Sequence, residues 1–176
     1  MEQLETRRLL LRPFVDGDAA DVLEYARDPR VGPIAGWPPH RDEAESLHII
    51  RTVFSSPGVS AMVLKDSGKV VGSVGFVDRH RTELLGPDDE IGYALHPAFW
   101  GRGLMPEAVE AVLEYGFIKL GLVTIWCGYY DGNDKSRRVI EKCGFHYRFS
   151  GAERVDLLNV VRLEHHYALT REDWGK

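Results

Sequence analysis

Chemistry is most concentrated in HPAFWGRGLMPEAVEAVLEYGF, His96 to Phe117, where Gly101, Arg102 and Gly103 stand directly before a helical pattern. The first N–H groups of a helix lack internal acceptors and carry the positive end of its dipole, so a glycine-lined helix mouth suits an anion. Glycine also lets the backbone approach such a ligand closely. Two familiar phosphate loops are excluded by their neighbours. Pro106 stands where a dinucleotide fingerprint needs its third glycine, and Met105 and Pro106 follow Leu104 where a Walker loop needs Lys and then Ser or Thr. The plainer alternative, a tight turn feeding a helix, stays open at this level.

Further polar candidates flank that loop. In DEIGYALHP the alternation puts Glu90, Gly92, Ala94 and His96 on one face and Ile91, Tyr93 and Leu95 on the other. Downstream, NDKSRRVIEKC places Asn133 three residues before Ser136, the spacing of a helix N-cap. EHHY, residues 164–167, invites a metal. Its adjacent histidines, His165 and His166, point to opposite faces of a strand, however, so Glu164 and His166 are too few ligands and no metal is expected. No serine or cysteine is paired with a histidine and an acid in a recognisable motif, so no acyl-enzyme is expected either.

The elements that must hold these residues are legible from periodicity. RRLLLRPF, 7–14, reads as a strand, and DGDAADVLEYARD as a helix opened by an aspartate cap. The Pro- and Gly-rich DPRVGPIAGWPPHRDEAES reads as a surface excursion, followed by a helix over 42–54 with Ala44, Leu47, Ile50 and Phe54 on one face. VSAMVLKD and KVVGSVGFVDRHR form a hairpin about DSGK, and DEIGYALHP is a third strand. After the glycine loop, Val109, Val112, Leu113, Gly116, Phe117 and Leu120 recur on one helical face, with Pro106 in the first turn and Gly121 at the end. LVTIWCGYY is a strand, 133–143 a helix stopped by Gly144, and FHYRFSG and VVRLEHHYALT are closing strands. A strand, a helix and a return strand make a crossover, which predicts a parallel step at the loop.

The whole chain sets outer bounds. Its 176 residues read as one domain, 1–176, large enough to bury roughly 70% of its unfolded surface. A net charge of -5 argues against nucleic acid or an anionic membrane as partner. No apolar run is long enough to span a bilayer, and MEQLETRRLLLRPF reads as mature sequence, which points to the cytoplasm. Cys127 and Cys143 read as reduced core residues, and exposed aromatics in the last strands suit a homodimer.

The order of strand, proline, aromatic, Gly-Arg-Gly, long helix, strand, Asn-x-x-Ser helix and Gly-Phe resembles the GNAT superfamily of acyl-CoA-dependent N-acetyltransferases over nearly the whole chain. LETRRLLLRPF, the Trp before Gly-Arg-Gly, NDKSRRVIEKCGF and YALTREDW resemble its branch of ribosomal-protein N-terminal alanine or serine acetyltransferases. The general pattern Arg/Gln-x-x-Gly-x-Gly/Ala is met at Gly103, whereas Trp100 and Met105 depart from it. The resemblance implies an α/β fold: a mixed, mostly antiparallel twisted sheet with one parallel splayed step and helices on both faces. It implies acetyl-CoA as cosubstrate, its pyrophosphate held by N–H groups of Gly101, Arg102, Gly103, Leu104 and Met105, with Arg102 offering a charge.

By the same resemblance, the Leu95 backbone bonds the pantetheine arm and faces the thioester oxygen, Asn133 bonds the pantetheine amides, and Ser136 protonates the departing thiolate. The tyrosine that many relatives carry four residues after that serine is Ile140 here. Trp37 lies where the family's early loop lines the acceptor side. Glu90 is the candidate general base, with His96 as a rival and an exposed carboxylate of the PDDE run as the plainer reading. The function expected is acetyl transfer by direct attack of a primary amine, first a protein or peptide N-terminal α-amine. The alternatives are a small amine such as an antibiotic or polyamine, and a non-catalytic acyl-CoA sensor.

Overall fold

The alternating strand segments assemble into one eight-stranded sheet, which the computed structural model describes with its helices over residues 2–175. In chain order the elements are β1 (Leu4–Glu5), β2 (Leu9–Arg12), α1 (Ala19–Ala26), α2 (Gly32–Ala35), α3 (Glu43–Thr52), β3 (Val59–Leu64), β4 (Val70–Phe76) and β5 (Asp88–Leu95). They continue with α4 (Leu104–Glu114), β6 (Thr124–Tyr130), α5 (Asp134–Lys142), β7 (His146–Val155), β8 (Val160–Thr170) and α6 (Arg171–Trp174). The sheet order is β1-β2-β3-β4-β5-β6-β8-β7, antiparallel except at β5–β6.

That parallel pair is short. Asp88, Asp89 and Glu90 pair with Thr124, Ile125 and Trp126, and then both strands run on, to Leu95 and Tyr130, without each other. The Val77 N–H donates to Glu90 O (3.0 Å) and the His96 N–H to Val71 O (2.8 Å), so the even-numbered peptide groups of β5 face β4. By the alternation of an antiparallel ladder, those of Ile91, Tyr93 and Leu95 turn toward the opened side.

The two sheet faces are covered by different helices. On one, α4 buries Leu104, Met105, Ala108, Val109, Val112 and Leu113 with Ile91, Leu95, Ile125 and Cys127. On the other, Val22, Tyr25 and Ala26 of α1 and Ile50 of α3 pack with Ala94 and Trp100. The start of α4 is pinned by Glu107, whose carboxylate accepts from Thr6 Oγ1 (2.6 Å), Arg8 N (2.8 Å) and Arg8 Nε (2.7 Å). Among the described residues no helix is long and apolar enough to cross a membrane.

Several expectations shift. The first strand is shorter than 7–14 and gains β1 as a neighbour. Asp18 stands at the N-cap of α1, but its carboxylate turns back to the Val15 N–H (2.9 Å) and to Arg12 (2.7 Å). The surface excursion contains α2, and Ala44, expected on the inner face of α3, is exposed while Ser46 is buried. Leu120 is 48% exposed because a wider π-helical turn over Tyr115–Lys119 rotates it outward, and Leu122 is buried in the core instead.

That turn brings the Gly116 backbone onto the sheet: a Cβ there would lie 2.6 Å from Phe76 Cζ and 2.8 Å from Ile125 Cδ1. Overpacking of this kind costs about 1–3 kcal/mol. Gly116→Val is therefore expected to lower stability by about that much in urea unfolding, and an unchanged midpoint would contradict the close approach.

Candidate active site

Two clefts open where β5 and β6 part. One of about 900 Å³ runs between α2 and the starts of α4 and α5; the other, of about 540 Å³, lies between α1, α3 and the separated strands. Tyr93, Ala94, Asn133 and Ser136 line both, so the clefts meet at the gap.

The glycine loop borders the larger cleft. Gly101 and Gly103 have φ of +75° and +72°, the left-handed region where a side chain would be strained. Among the described residues, the N–H groups of Gly101 through Met105 have no protein acceptor. The side chains of Leu104 and Met105 are buried in the core, so their N–H groups are what they can offer a ligand. Arg102 is exposed, with its guanidinium 5.0 Å above the Phe99 ring and its carbonyl accepting from Arg8 Nη1 (2.8 Å). Positive charge on the cleft comes instead from Lys135, Arg138 and Lys142 on one face of α5, joined by Arg30 and Arg162. Sequence reasoning missed these, although spacings of three and four along a helix were the available signal. Trp100 donates through Nε1 to Leu95 O (2.8 Å) and lies under Lys135 Nζ (4.7 Å) and Arg30 (5.7 Å). Leu95 thus presents its backbone at the gap, one carbonyl already occupied.

Asn133 caps α5 by accepting from the Ser136 N–H (3.3 Å). The Ser136 hydroxyl is 2.8 Å from the Tyr93 hydroxyl, which also donates to the Ser136 carbonyl (3.2 Å). Burial holds the Tyr93 phenol well above its ordinary pKa, so it stays a neutral O–H. Tyr93 was read only as the opposite face of β5; its reach to α5 is a tertiary contact with no sequence signal.

Glu90 is buried, 6% exposed, rather than solvated in its acidic run. Its two oxygens meet Arg79 Nη1 (3.1 Å) and Arg81 Nε (3.3 Å). Arg79 Nη1 also reaches Glu164 Oε1 (3.3 Å), so two carboxylates that line the smaller cleft share one guanidinium. Glu164 Oε1 lies 2.7 Å from where a Cβ of Gly128 would stand, and only glycine leaves it that place. Burial raises the Glu164 pKa, partly opposed by Arg79, and its Oε2 has no partner. His96 is turned away: its Nδ1 accepts from the Ala98 N–H (3.0 Å) and its Nε2 approaches Glu24 (3.6 Å). Trp37 lines the smaller cleft, its ring laid over Gly32.

Two further clusters lie in the last strands, one mostly buried and one at the surface. Glu153 adds a third ligand atom to Glu164 and His166, all within 4.8 Å of one another, while the adjacent Arg79 and Arg81 supply positive charge that opposes a cation there. A chain of hydrogen bonds also runs from Asp131 Oδ1 to His165 Nε2 (3.1 Å), His165 Nδ1 to Ser150 Oγ (2.7 Å) and Ser150 Oγ to the Tyr147 hydroxyl (2.9 Å). Strand pairing of β7 with β8 creates this serine–histidine–acid association, which linear order concealed. Ser150 is exposed and borders neither cleft.

A split parallel pair with an open glycine loop beside it is the architecture of one enzyme class, and the chain belongs to it. A family model described as an acetyltransferase (GNAT) domain matches residues 8–146, so this protein is a GNAT-family acetyltransferase. The family uses acetyl-CoA as its cosubstrate. The chain is 30% identical over 152 residues to the uncharacterized N-acetyltransferase p20 of Bacillus licheniformis, covering 82% of this chain and 83% of that one. It is 30% identical over 121 residues to YdaF of Bacillus subtilis, provisionally named a ribosomal N-acetyltransferase, covering 66% and 62%. A crystal structure of a GNAT-family acetyltransferase from Bacillus anthracis superimposes with a TM-score of 0.85 at 25% identity, covering 97% of this chain and 99% of that one.

Burial, with help from Arg81 and Arg79, depresses the His166 pKa from 6.5 to about 4. Between those values the unfolded chain binds more protons than the folded one, so stability contributed here falls as pH drops from 6.5 to about 4 and levels off below. Thermal melts across that window should decline less steeply for His166→Phe than for the parent protein; equal slopes would remove His166 from the account.

Proposed function

We propose that the protein transfers the acetyl group of acetyl-CoA to a primary amine, an α-amine at a protein or peptide N-terminus, in a direct reaction. One observation carries the reading: the two clefts meet where β5 loses β6, with Ser136 and Tyr93 on one side and Glu90 and Glu164 on the other. The unpaired N–H groups of Gly101 to Met105 and the cations of α5 fit a pyrophosphate, and the peptide groups of Tyr93 with the Leu95 N–H fit an amide-bearing arm and its thioester. Bound acetyl-CoA supplies an activated acyl thioester.

The protein's own groups then have separate tasks. Glu90, with Glu164 on the same guanidinium, takes the proton of the acceptor ammonium, and the apolar walls exclude water. A Leu95 N–H aimed into the gap offers a donor to the carbonyl oxygen. Ser136 Oγ–H gives its proton to the departing thiolate on the opposite side and recovers the one that the new amide nitrogen sheds, and Tyr93 holds that hydroxyl in place. YdaF's provisional name supports a polypeptide acceptor. The reading extends to the cytoplasm, where free thiols such as Cys127 and Cys143 persist, and to a homodimer that would cover exposed Tyr147, Val161 and Leu163.

Thiol release from acetyl-CoA with N-terminal peptides should show turnover and a mass gain at the α-amine. Ser136→Ala is expected to lower kcat on the order of 100-fold with the KM for acetyl-CoA little changed, and Glu90→Gln to do likewise for the acceptor step. Tyr93→Phe should lose roughly tenfold in kcat alone, with no added loss in the Ser136→Ala background. Binding of acetyl-CoA without turnover of any amine, or full activity in both Ser136→Ala and Glu90→Gln, would favour the sensor.

A further inference from the structure

We infer that the accepted amine stands beside a bulky apolar substituent, and that polycationic amines are poor acceptors; this rests on the acetyl-transfer reading of the same site. The smaller cleft is walled mostly by carbon, with Glu90, Glu164 and Arg79 at the gap and His40 and Glu45 on the side of α3. On the side of α3 that carbon comes from Trp37, Ile49, Val53 and Phe54, while Ile34 and Val77 continue it to the gap. The wall is ordered: the Trp37 ring rests on Gly32, and Phe54 stacks on Phe14 with centroids 4.5 Å apart.

The carboxylates lining the cleft are Glu45, Glu90 and Glu164. Glu45 is engaged by the Arg41 N–H (2.7 Å) and Arg41 Nε (3.0 Å). Glu90 and Glu164 sit together at the gap and share Arg79, with Arg81 on the second oxygen of Glu90. A polyamine or aminosugar carries further ammonium groups a few bonds from the reacting one. Placed here, those groups would leave water for aliphatic and aromatic walls without a free counter-charge, which is costly. A monoamine avoids that loss, since its one nitrogen reaches Glu90 and Glu164 while its substituent lies on the wall.

Size points the same way. A volume of about 540 Å³ is in the range of a ligand pocket and far exceeds an alanine or serine side chain. Each buried methylene gains about fourfold in binding, so a leucine or phenylalanine in the first position outcompetes the small residue that the ribosomal resemblance suggested. The recognised chemistry, a primary amine on a carbon bearing an apolar group, is shared by polypeptide termini and by small monoamines.

The test is a series of peptides differing only in the first residue (Phe, Leu, Ala, Ser, Gly), with phenylalaninamide and spermidine, followed by thiol release from acetyl-CoA. Expected is a kcat/KM for Phe and Leu roughly ten- to a hundredfold above Ser and Gly, and spermidine at or below Gly. Turnover of phenylalaninamide equal to the Phe peptide would identify a small-molecule acceptor, and turnover of peptides alone a polypeptide; either supports the inference. Turnover that favours Ser, Gly or spermidine overturns it while leaving acetyl transfer intact, whereas no turnover of any amine overturns both. Val53, 54% exposed, tolerates a charge without loss of core, so Val53→Glu should shrink the Phe-to-Ser ratio and raise spermidine turnover. An unmoved ratio in that variant would exclude the wall as the specificity element.

Discussion

The separation of β5 from β6 after three paired residues is the constraint on which everything else depends. Inside a sheet, a strand's peptide groups are consumed by its neighbours. Here the peptide groups of Tyr93 and the Leu95 N–H face a gap, and the strands diverge without unravelling because each keeps its other partner: β5 stays on β4, and β6 stays on β8. The gap supplies unpaired backbone groups, a passage between two clefts, and a rigid frame on both sides. A fully zipped parallel sheet from the same residues would have no place for a reaction.

The helices complete that frame by aiming their ends at it. The mouth of α4 is held by Glu107 against Thr6 and Arg8, which fixes the direction of the unpaired N–H groups from Gly101 to Met105. The mouth of α5 is capped by Asn133 and brings Ser136 against Tyr93. Two helix dipoles and the cations Lys135, Arg138 and Lys142 converge on one cleft, which gives it a positive field in a chain whose net charge is -5. Charge distribution, rather than charge sum, decides what such a surface attracts.

On the acceptor side the economy is different. Glu90, Glu164, Arg79 and Arg81 form a compact group in which two buried carboxylates depend on one half-buried guanidinium, Arg81, and one that reaches solvent, Arg79. Gly128 makes room for Glu164, and Trp37 closes over Gly32, so two glycines in β6 and α2 are there for close approach rather than for turning. The polar cluster handles protons and the carbon wall handles fit.

Much of this was visible in the residue order. The amphipathic stripe of α4, the Asn-x-x-Ser cap of α5, the alternation of β5 and the glycine pair all rest on local periodicity and local hydrogen bonding, which sequence encodes directly. The turn of Leu120 outward escaped because a π-helical turn leaves no mark on a 3.6-residue pattern. The partners of Arg79, Tyr93 and Glu164 and the Asp131–His165–Ser150 chain escaped for another reason: the contacting residues lie on different elements, 11 to 85 residues apart, and only tertiary packing sets them side by side. Sequence alone therefore determined the order of elements, the anion-suited helix mouth and the family resemblance. Tertiary structure decided where β5 and β6 part, which carboxylates share a guanidinium and what the acceptor cleft is lined with, because those depend on register and packing between distant segments rather than on any local preference.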